Sequence, residues 1–175
     1  MADNRLALDI NAASRLTGKF KLRSGQASEE YFDKYRFESD PRLLRRIARS
    51  MLPLVPESTE VLAGLELGGV PIVTAMSLES GLPAAFVRKT AKDYGTCQAV
   101  EGIDVRGRRV VIIEDVITTG GAVFDATALI RGAGGVVIAV VCAIWRGEGR
   151  PSIKGLPELP VFPALTKAEL TRNSN

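Results

Sequence analysis

Four short segments of the chain consist almost entirely of apolar residues. They are VLAGL from Val61, AAFV from Ala84, VVII from Val110 and VVIAVVCAI from Val136, and each has glycine or a charged residue on at least one side. Apolar and polar residues do not alternate within them, as they would in a strand with one face in water. Continuous apolar runs of this length are typical of strands buried on both faces. The pattern therefore predicts an α/β fold with a central, mostly parallel sheet flanked by helices.

Helical spacing of apolar residues follows two of these strands. Pro71 and Gly81 mark the start and the end of one helix, and Gly134 marks the end of another. The apolar positions are Ile72, Ala75, Met76 and Leu78 in the first helix and Val123, Ala126, Thr127 and Ile130 in the second. Two strand-turn-helix units result, and such sheets bind ligands at the carboxyl ends of their strands.

Two further helices are predicted from capping signals. Asp40 and Pro41 form an N-cap and first-turn pair before RLLRRIARSML, and TKAE at residues 166–169 matches a capping box. The arginines of the earlier helix are expected to face solvent and not nucleic acid, because no aromatic residues alternate with them. Four prolines in residues 150–163 predict loop with at most an edge strand.

Length and composition limit the classes of protein that the chain can represent. Its 175 residues, 46% of them hydrophobic and 25% charged, predict one soluble globular domain over residues 1–175. The charge of +3 suits a phosphate-rich small molecule as well as nucleic acid. We expect a cytoplasmic protein without a membrane span, because no export signal is visible and the apolar runs fall short of about 18 residues.

Histidine is absent from the sequence, and Cys97 and Cys142 are its only cysteines. A structural zinc site and a Ser-His or Cys-His catalytic pair are therefore excluded. Cys142 is predicted to be a buried strand residue, and Cys97 has no assigned role.

The segment VVIIEDVITTGG, residues 110–121, carries the strongest chemical signal. Neither of the common phosphate motifs, GxGxxG or GxxxxGK[ST], occurs in the chain. The turn can still bind a phosphate through hydroxyls and helix N-terminal amides, which are offered by Thr118, Thr119, Gly120 and Gly121. Glu114 and Asp115 would repel that anion, so we expect them to accept hydrogen bonds from a ribose diol. The segment thus predicts a phosphoribosyl site.

This segment resembles the phosphoribosyl pyrophosphate signature of the type I phosphoribosyltransferases. Separate motifs between FKLRSG at Phe20 and WRGEG at Trp145 resemble those of the family members that act on orotate. The resemblance implies the type I phosphoribosyltransferase fold with a small N-terminal hood, about residues 1–40, that binds the base. It also implies formation of orotidine 5′-monophosphate and pyrophosphate in pyrimidine nucleotide biosynthesis, and adds Ala122 to the phosphate site.

Residues 86–102 begin at the end of a strand and then form a long polar loop without apolar periodicity. In the family that it resembles, this loop is mobile and catalytic, which implies that Arg88, Lys89 and Lys92 surround the pyrophosphate. Fixed cations there would stabilise the charge that develops as pyrophosphate departs. Tyr94 stands where the family usually has histidine; it can donate a hydrogen bond but supplies no cation at neutral pH.

GLELGGVP resembles the family's pyrophosphate loop, in which Gly68 and Gly69 would offer backbone amides. Phosphate binding gives Glu66 in this loop no role. The resemblance further implies Mg²⁺ that is held mainly by substrate oxygens, with no direct protein ligand. It implies a homodimer whose catalytic loop reaches the neighbouring active site.

Four residues are implied in substrate contacts from outside these loops. Arg23 would lie near the phosphates, and Tyr31 and Phe32 would form an aromatic wall for the pyrimidine. Arg146 would meet the orotate carboxylate, because a guanidinium matches its bidentate geometry.

Two rival functions remain open at this point. A phosphoribosyltransferase for a purine would have no carboxylate for Arg146 to meet. A non-catalytic regulator that senses phosphoribosyl pyrophosphate would need neither Lys89 nor Lys92, and no helix-turn-helix extension is evident. Both observations favour the orotate enzyme.

Overall fold

The computed structural model describes residues 4–21, 25–90 and 98–171. The N-terminal elements are α1 (Asn4–Ser14), β1 (Arg15–Lys21), β2 (Ala27–Phe32), α2 (Tyr35–Ser39), α3 (Pro41–Met51) and a 3-10 turn (Leu52–Leu54). The remaining elements are β3 (Val61–Leu65), α4 (Gly69–Ser80), β4 (Ala84–Val87), β5 (Val100–Gly102), β6 (Arg109–Ile117), α5 (Gly121–Gly132), β7 (Val136–Trp145), β8 (Val161–Thr166) and α6 (Lys167–Thr171).

Six strands form the central sheet in the order β5-β4-β3-β6-β7-β8. All neighbouring pairs are parallel except β4 and β5, which are antiparallel. The predicted α/β class and the four predicted strands are confirmed. Pro163 lies in β8 at the sheet edge, where a residue without an amide hydrogen is tolerated.

Helices cover both faces of the sheet, which explains the continuous apolar strands. In β6, Val110 and Ile112 belong to the core beneath α5, whereas Val111 and Ile113 belong to the core beneath α1, α3 and α4. Successive residues of the strand point to opposite faces of the sheet. Because both faces are buried, residues on both need apolar side chains.

The predicted helix signals are mostly confirmed. The Asp40 carboxylate accepts hydrogen bonds from the amides of Arg42 and Leu43, at 2.8 and 3.2 Å, and so caps α3. Glu169 Oε2 accepts from the Thr166 amide at 2.7 Å, as a capping box requires. The solvent-facing arginines of α3 include Arg45 and Arg49, which pair with Glu79 of α4, and Arg46, which pairs with Asp9.

The apolar faces predicted for α4 and α5 agree with the structure except at one position. All four positions predicted in α5 are buried. In α4 the prediction for Leu78 is wrong, because this side chain is 84% exposed and Val73 is buried instead. The helix begins at Gly69, two residues before Pro71, and its buried face is centred on Ile72, Val73 and Met76. Gly81 ends α4 in the left-handed conformation, and Cys142 is buried as predicted.

Two parts of the fold differ from the sequence-based expectations. The polar-loop prediction for residues 100–102 is wrong, because they form β5 at the edge of the sheet. The N-terminal helix α1 and the antiparallel hairpin β1–β2 were not predicted as elements. Among the helices described, none is both long enough and apolar enough to cross a membrane.

Candidate active site

The loops that follow β3, β4, β6 and β7 meet at one edge of the sheet. These strands are parallel neighbours, so their carboxyl ends lie side by side. This is the edge at which α/β sheets bind ligands. Most of the predicted site residues within the described ranges lie on these four loops.

The turn between β6 and α5 forms an open cradle. Gly120 adopts φ +78° just before the helix begins at Gly121, and a β-carbon there would lie 2.8 Å from Ile153 Cδ1. Conformation and space both require glycine at this position. Thr118 and Thr119, together with Gly121 and the following residue, are exposed. Their hydroxyls and the first amides of α5 are therefore available to an anion.

Ala122 belongs to a cleft of about 490 Å³ beside this cradle. Arg88 and Lys89, which follow β4, line the same cleft with Thr119 and Gly121. The structure thus brings the first two predicted loop cations to the predicted phosphate turn, although about 30 residues separate them in sequence.

Glu66 is hydrogen-bonded to the start of the segment that carries these cations. Its Oε1 accepts a hydrogen bond from the Lys89 amide at 2.7 Å, and its own amide donates to the Val87 carbonyl at 2.9 Å. The carboxylate thereby joins the loop after β3 to the residues after β4. Phosphate binding gave Glu66 no role, and these contacts provide a structural one.

Glu114 and Asp115 occupy the end of β6 as predicted, but both are buried, with 7% and 0% exposure. The Asp115 carboxylate accepts from the Val116 amide at 2.5 Å through Oδ1 and pairs with Lys34 Nζ at 2.5 Å through Oδ2. Glu114 Oε1 accepts from the Asp115 amide at 3.0 Å. In this structure the two acids therefore contact protein groups.

Burial and mutual contacts separate the pKa values of these acids. Burial, followed by interactions with Asp115, holds the pKa of Glu114 well above its ordinary value. Burial alone would also raise the pKa of Asp115, but its interactions with Glu114 and Glu38 and the charge of Lys34 outweigh burial and lower that pKa. Asp115 is therefore the acid of this group that carries the negative charge at neutral pH.

Gly68 and Gly69 are buried against β6. A β-carbon at Gly68 would lie 1.7 Å from Asp115 Oδ2, and one at Gly69 would lie 2.6 Å from the Ile113 carbonyl oxygen. Close packing of the loop on the strand therefore explains both glycines. Their role in binding pyrophosphate through amides stays a prediction.

A Gly68→Ala variant is expected to unfold at lower temperature, because its methyl group would overlap the Asp115 carboxylate. Overpacking of this kind costs roughly 1–3 kcal/mol of unfolding free energy. Gly132→Ala is the matched control, since a β-carbon there has no atom within 4 Å. Thermal unfolding of both variants checks this, and equal melting temperatures would contradict the contact.

The aromatic residues of β2 and the arginine after β7 form a second pocket. Tyr31, Phe32 and Arg146 line a cavity of about 590 Å³, together with residues of α1 and α6. The Arg146 guanidinium carbon lies 5.2 Å from the centre of the Phe32 ring. Three residues predicted to select the base are thus brought together, while Trp145 is buried in the core.

Three predicted site residues cannot be placed. Arg23, Lys92 and Tyr94 lie outside the described residues, as does Cys97. Their roles stay predictions.

Two site residues were missed from the sequence. Lys34 stands at the start of α2, and Glu38 lies within this five-residue helix with 5% exposure. A helix of this length is too short to show apolar periodicity. The apolar side chain of the neighbouring Phe37, which is fully buried, was the available hint that this helix packs into the core.

Comparison with known proteins agrees with this geometry. Residues 36–158 match the family model of the phosphoribosyl transferase domain. An orotate phosphoribosyltransferase of a Nocardioides species is 60% identical over 168 residues, which cover 96% of this chain and 94% of that relative. One from Halobacterium salinarum is 43% identical over 132 residues, which cover 75% of each chain.

Among solved structures, the fold is similar to that of Mycobacterium tuberculosis H37Rv orotate phosphoribosyltransferase in complex with 5-phospho-α-D-ribosyl 1-diphosphate. The TM-score is 0.81 at 29% identity, and the match covers 96% of this chain and 98% of that chain. The family model spans most of the chain, and the Nocardioides relative is similar along almost all of it. The chain therefore belongs to the phosphoribosyltransferase family, among its orotate phosphoribosyltransferases.

Proposed function

We propose that this chain transfers the phosphoribosyl group of phosphoribosyl pyrophosphate to N1 of orotate. The products are orotidine 5′-monophosphate and pyrophosphate, in pyrimidine nucleotide biosynthesis. The observation that carries the proposal is Arg146, whose guanidinium lies over the Phe32 ring in a pocket at the end of β7. A guanidinium matches the carboxylate of orotate, and a purine has no such group.

Separate groups of residues bind the phosphate, the ribose and the pyrophosphate of phosphoribosyl pyrophosphate. The exposed amides and hydroxyls of residues 118–122 bind the 5′-phosphate at the N-terminus of α5. Asp115, which also pairs with Lys34, accepts hydrogen bonds from the ribose hydroxyls. Arg88 and Lys89 of the adjoining cleft bind the pyrophosphate, and we assign Lys92 and Tyr94 to the same group.

This placement of cationic and anionic side chains stabilises the transition state more than the ground state. As the bond from C1′ to the pyrophosphate oxygen breaks, its electron pair leaves with pyrophosphate. N1 of orotate forms the new bond to C1′ and gives up its proton, which the departing pyrophosphate or water accepts. Negative charge grows beside Lys89, while positive charge grows on the ribose beside Asp115. Fixed groups of opposite sign on each side lower the barrier without reorganisation.

We propose Mg²⁺ as the cofactor, bound mainly by pyrophosphate and ribose oxygens. Within the described ranges, no group of three or more acidic or cysteine residues could hold a metal ion. Mg²⁺ commonly uses substrate phosphates with few protein ligands, so the pyrophosphate and ribose oxygens suit an ion that arrives with the substrate. The bound ion would neutralise phosphate charge.

Four further features are proposed from the sequence and from the family resemblance. The chain forms a single domain in which residues 1–40 act as the base-binding hood, with Tyr31 and Phe32 of β2 as its base contacts. The segment between β4 and β5, residues 88–99, acts as the mobile catalytic loop. The protein is a cytoplasmic homodimer in which this loop reaches the neighbouring site. Arg23 lies near the phosphates.

One assay tests the function. The protein is mixed with Mg²⁺, phosphoribosyl pyrophosphate and, in turn, orotate, adenine or hypoxanthine, and pyrophosphate release is measured. We expect release with orotate. Release with adenine or hypoxanthine but not with orotate would contradict the base assignment, and no release with any base would favour a non-catalytic regulator.

A further inference from the structure

Three carboxyl groups and one ammonium group meet at the end of β6. Glu38, Glu114 and Asp115 are 5%, 7% and 0% exposed, and the Lys34 side chain is 34% exposed. With every acid ionised, Lys34 would balance one of three negative charges in a nearly closed space. Burial of unbalanced charge is costly, so the cluster needs protons.

Glu38 and Asp115 approach each other across Gly68. A β-carbon on Gly68 would lie 1.7 Å from Asp115 Oδ2 and 3.0 Å from Glu38 Oε1, which makes the two carboxyl groups neighbours. Among the described residues, no hydrogen-bond partner serves either oxygen of Glu38 when both groups are ionised. Two carboxylates in contact repel, whereas a proton on one of them turns the contact into a strong hydrogen bond.

We propose that Glu38 is a positioning residue that stays protonated and donates a hydrogen bond to the Asp115 carboxylate. This bond and the Lys34 ion pair hold Asp115 from two sides, so that a single negative charge faces the ribose. Glu38 itself contacts neither substrate. The inference rests on the proposed function, because it assigns the reason why Asp115 is ionised and fixed during phosphoribosyl transfer.

The charges around Glu38 support this proton position. Burial, followed by interactions with Asp115, raises the pKa of Glu38 to about 9, and Asp33 acts in the same direction while Lys34 opposes it. Glu114, the other acid at Asp115, also has a pKa well above its ordinary value. The Lys34 pKa is raised despite burial, because Asp115 and Glu114 face it, so its ammonium persists.

Two substitutions of Glu38 distinguish the effect of its hydrogen-bond donor from the effect of its side-chain volume. Glu38→Gln keeps a donor and lacks a titratable proton, whereas Glu38→Met fills a similar volume without a donor. At neutral pH we expect kcat close to wild type for Glu38→Gln and a loss of roughly 10- to 100-fold for Glu38→Met, the range for a lost hydrogen bond to a charged group. Equal losses in both variants would overturn the proposal.

The pH profile gives a readout that a packing role would not change. In the wild-type protein, kcat should fall as the pH rises through about 9, because ionised Glu38 would repel Asp115. Glu38→Gln should lack this fall, and any decline due to catalytic lysines should remain in both proteins. Identical profiles would overturn the proposal.

Infrared difference spectra test the proton without turnover. Subtracting Glu38→Gln from wild type at neutral pH should leave the band of a protonated carboxyl, which disappears as the pH rises through about 9. If wild type releases no pyrophosphate but shows this band, the function fails and the proton position stands. If turnover is present and the band is absent, the inference fails alone.

Discussion

An Asp115→Asn variant is expected to lose turnover by roughly 10²- to 10³-fold, the range for removing one preorganised electrostatic group. Asparagine keeps the shape and can still accept from the Val116 amide, so the fold should remain intact. It removes the negative charge that, in the proposed function, faces the developing positive charge of the ribose. Steady-state rates of pyrophosphate release, with circular dichroism and thermal unfolding alongside, check this expectation.

The control for this variant is Glu57→Gln, which also removes one carboxylate charge. Glu57 is exposed and precedes β3, so it lies at the opposite edge of the sheet from the site. We expect its turnover to match wild type. Turnover of Asp115→Asn close to wild type, in a folded protein, would contradict the role of Asp115.

The buried position of Asp115 explains why its charge is effective. A carboxylate in water is screened by solvent, whereas Asp115 is fully buried and held by fixed groups. Burial would ordinarily favour the neutral acid, and Lys34 and the neighbouring carboxyl groups prevent this. The site therefore keeps a charge that acts in a low-dielectric environment and needs no reorganisation during the reaction.

The sheet and the glycine turn after β6 could be predicted from the sequence because their signals are local. The apolar run of β6, the glycine turn and the helical spacing of α5 stand next to one another along the chain. Burial on both faces requires the continuous apolar pattern, and the turn requires Gly120 at positive φ. Such constraints act on neighbouring residues and appear directly in the sequence.

Lys34, Glu38 and the role of Glu66 could not be predicted because they depend on contacts between distant segments. Lys34 meets Asp115 about 80 residues further along the chain, and Glu66 meets Lys89 through a backbone amide. No spacing rule reveals a hydrogen bond from a distant backbone amide or a proton shared by buried acids. The protonation of Glu38 follows only from burial in the assembled fold.

An Arg146→Gln variant is expected to lose kcat/KM for orotate by roughly 10²- to 10³-fold, because the substrate carboxylate would lose its charged partner in a partly buried pocket. The affinity for phosphoribosyl pyrophosphate should change little, since the phosphate cradle lies on another loop. Tyr31 and Phe32 still line the pocket in this variant. Measuring kcat/KM with each substrate varied in turn checks both expectations.

Uracil, which is orotate without its carboxylate, makes this measurement specific to the proposed contact. Wild type should prefer orotate strongly, and Arg146→Gln should lose most of that preference because only the orotate rate falls. Arg150→Gln is the control, since Arg150 is exposed in the same loop after β7 and should keep the wild-type preference. If Arg146→Gln lowers the rates with orotate and uracil equally, Arg146 does not bind the carboxylate, and base selection must lie elsewhere in the pocket.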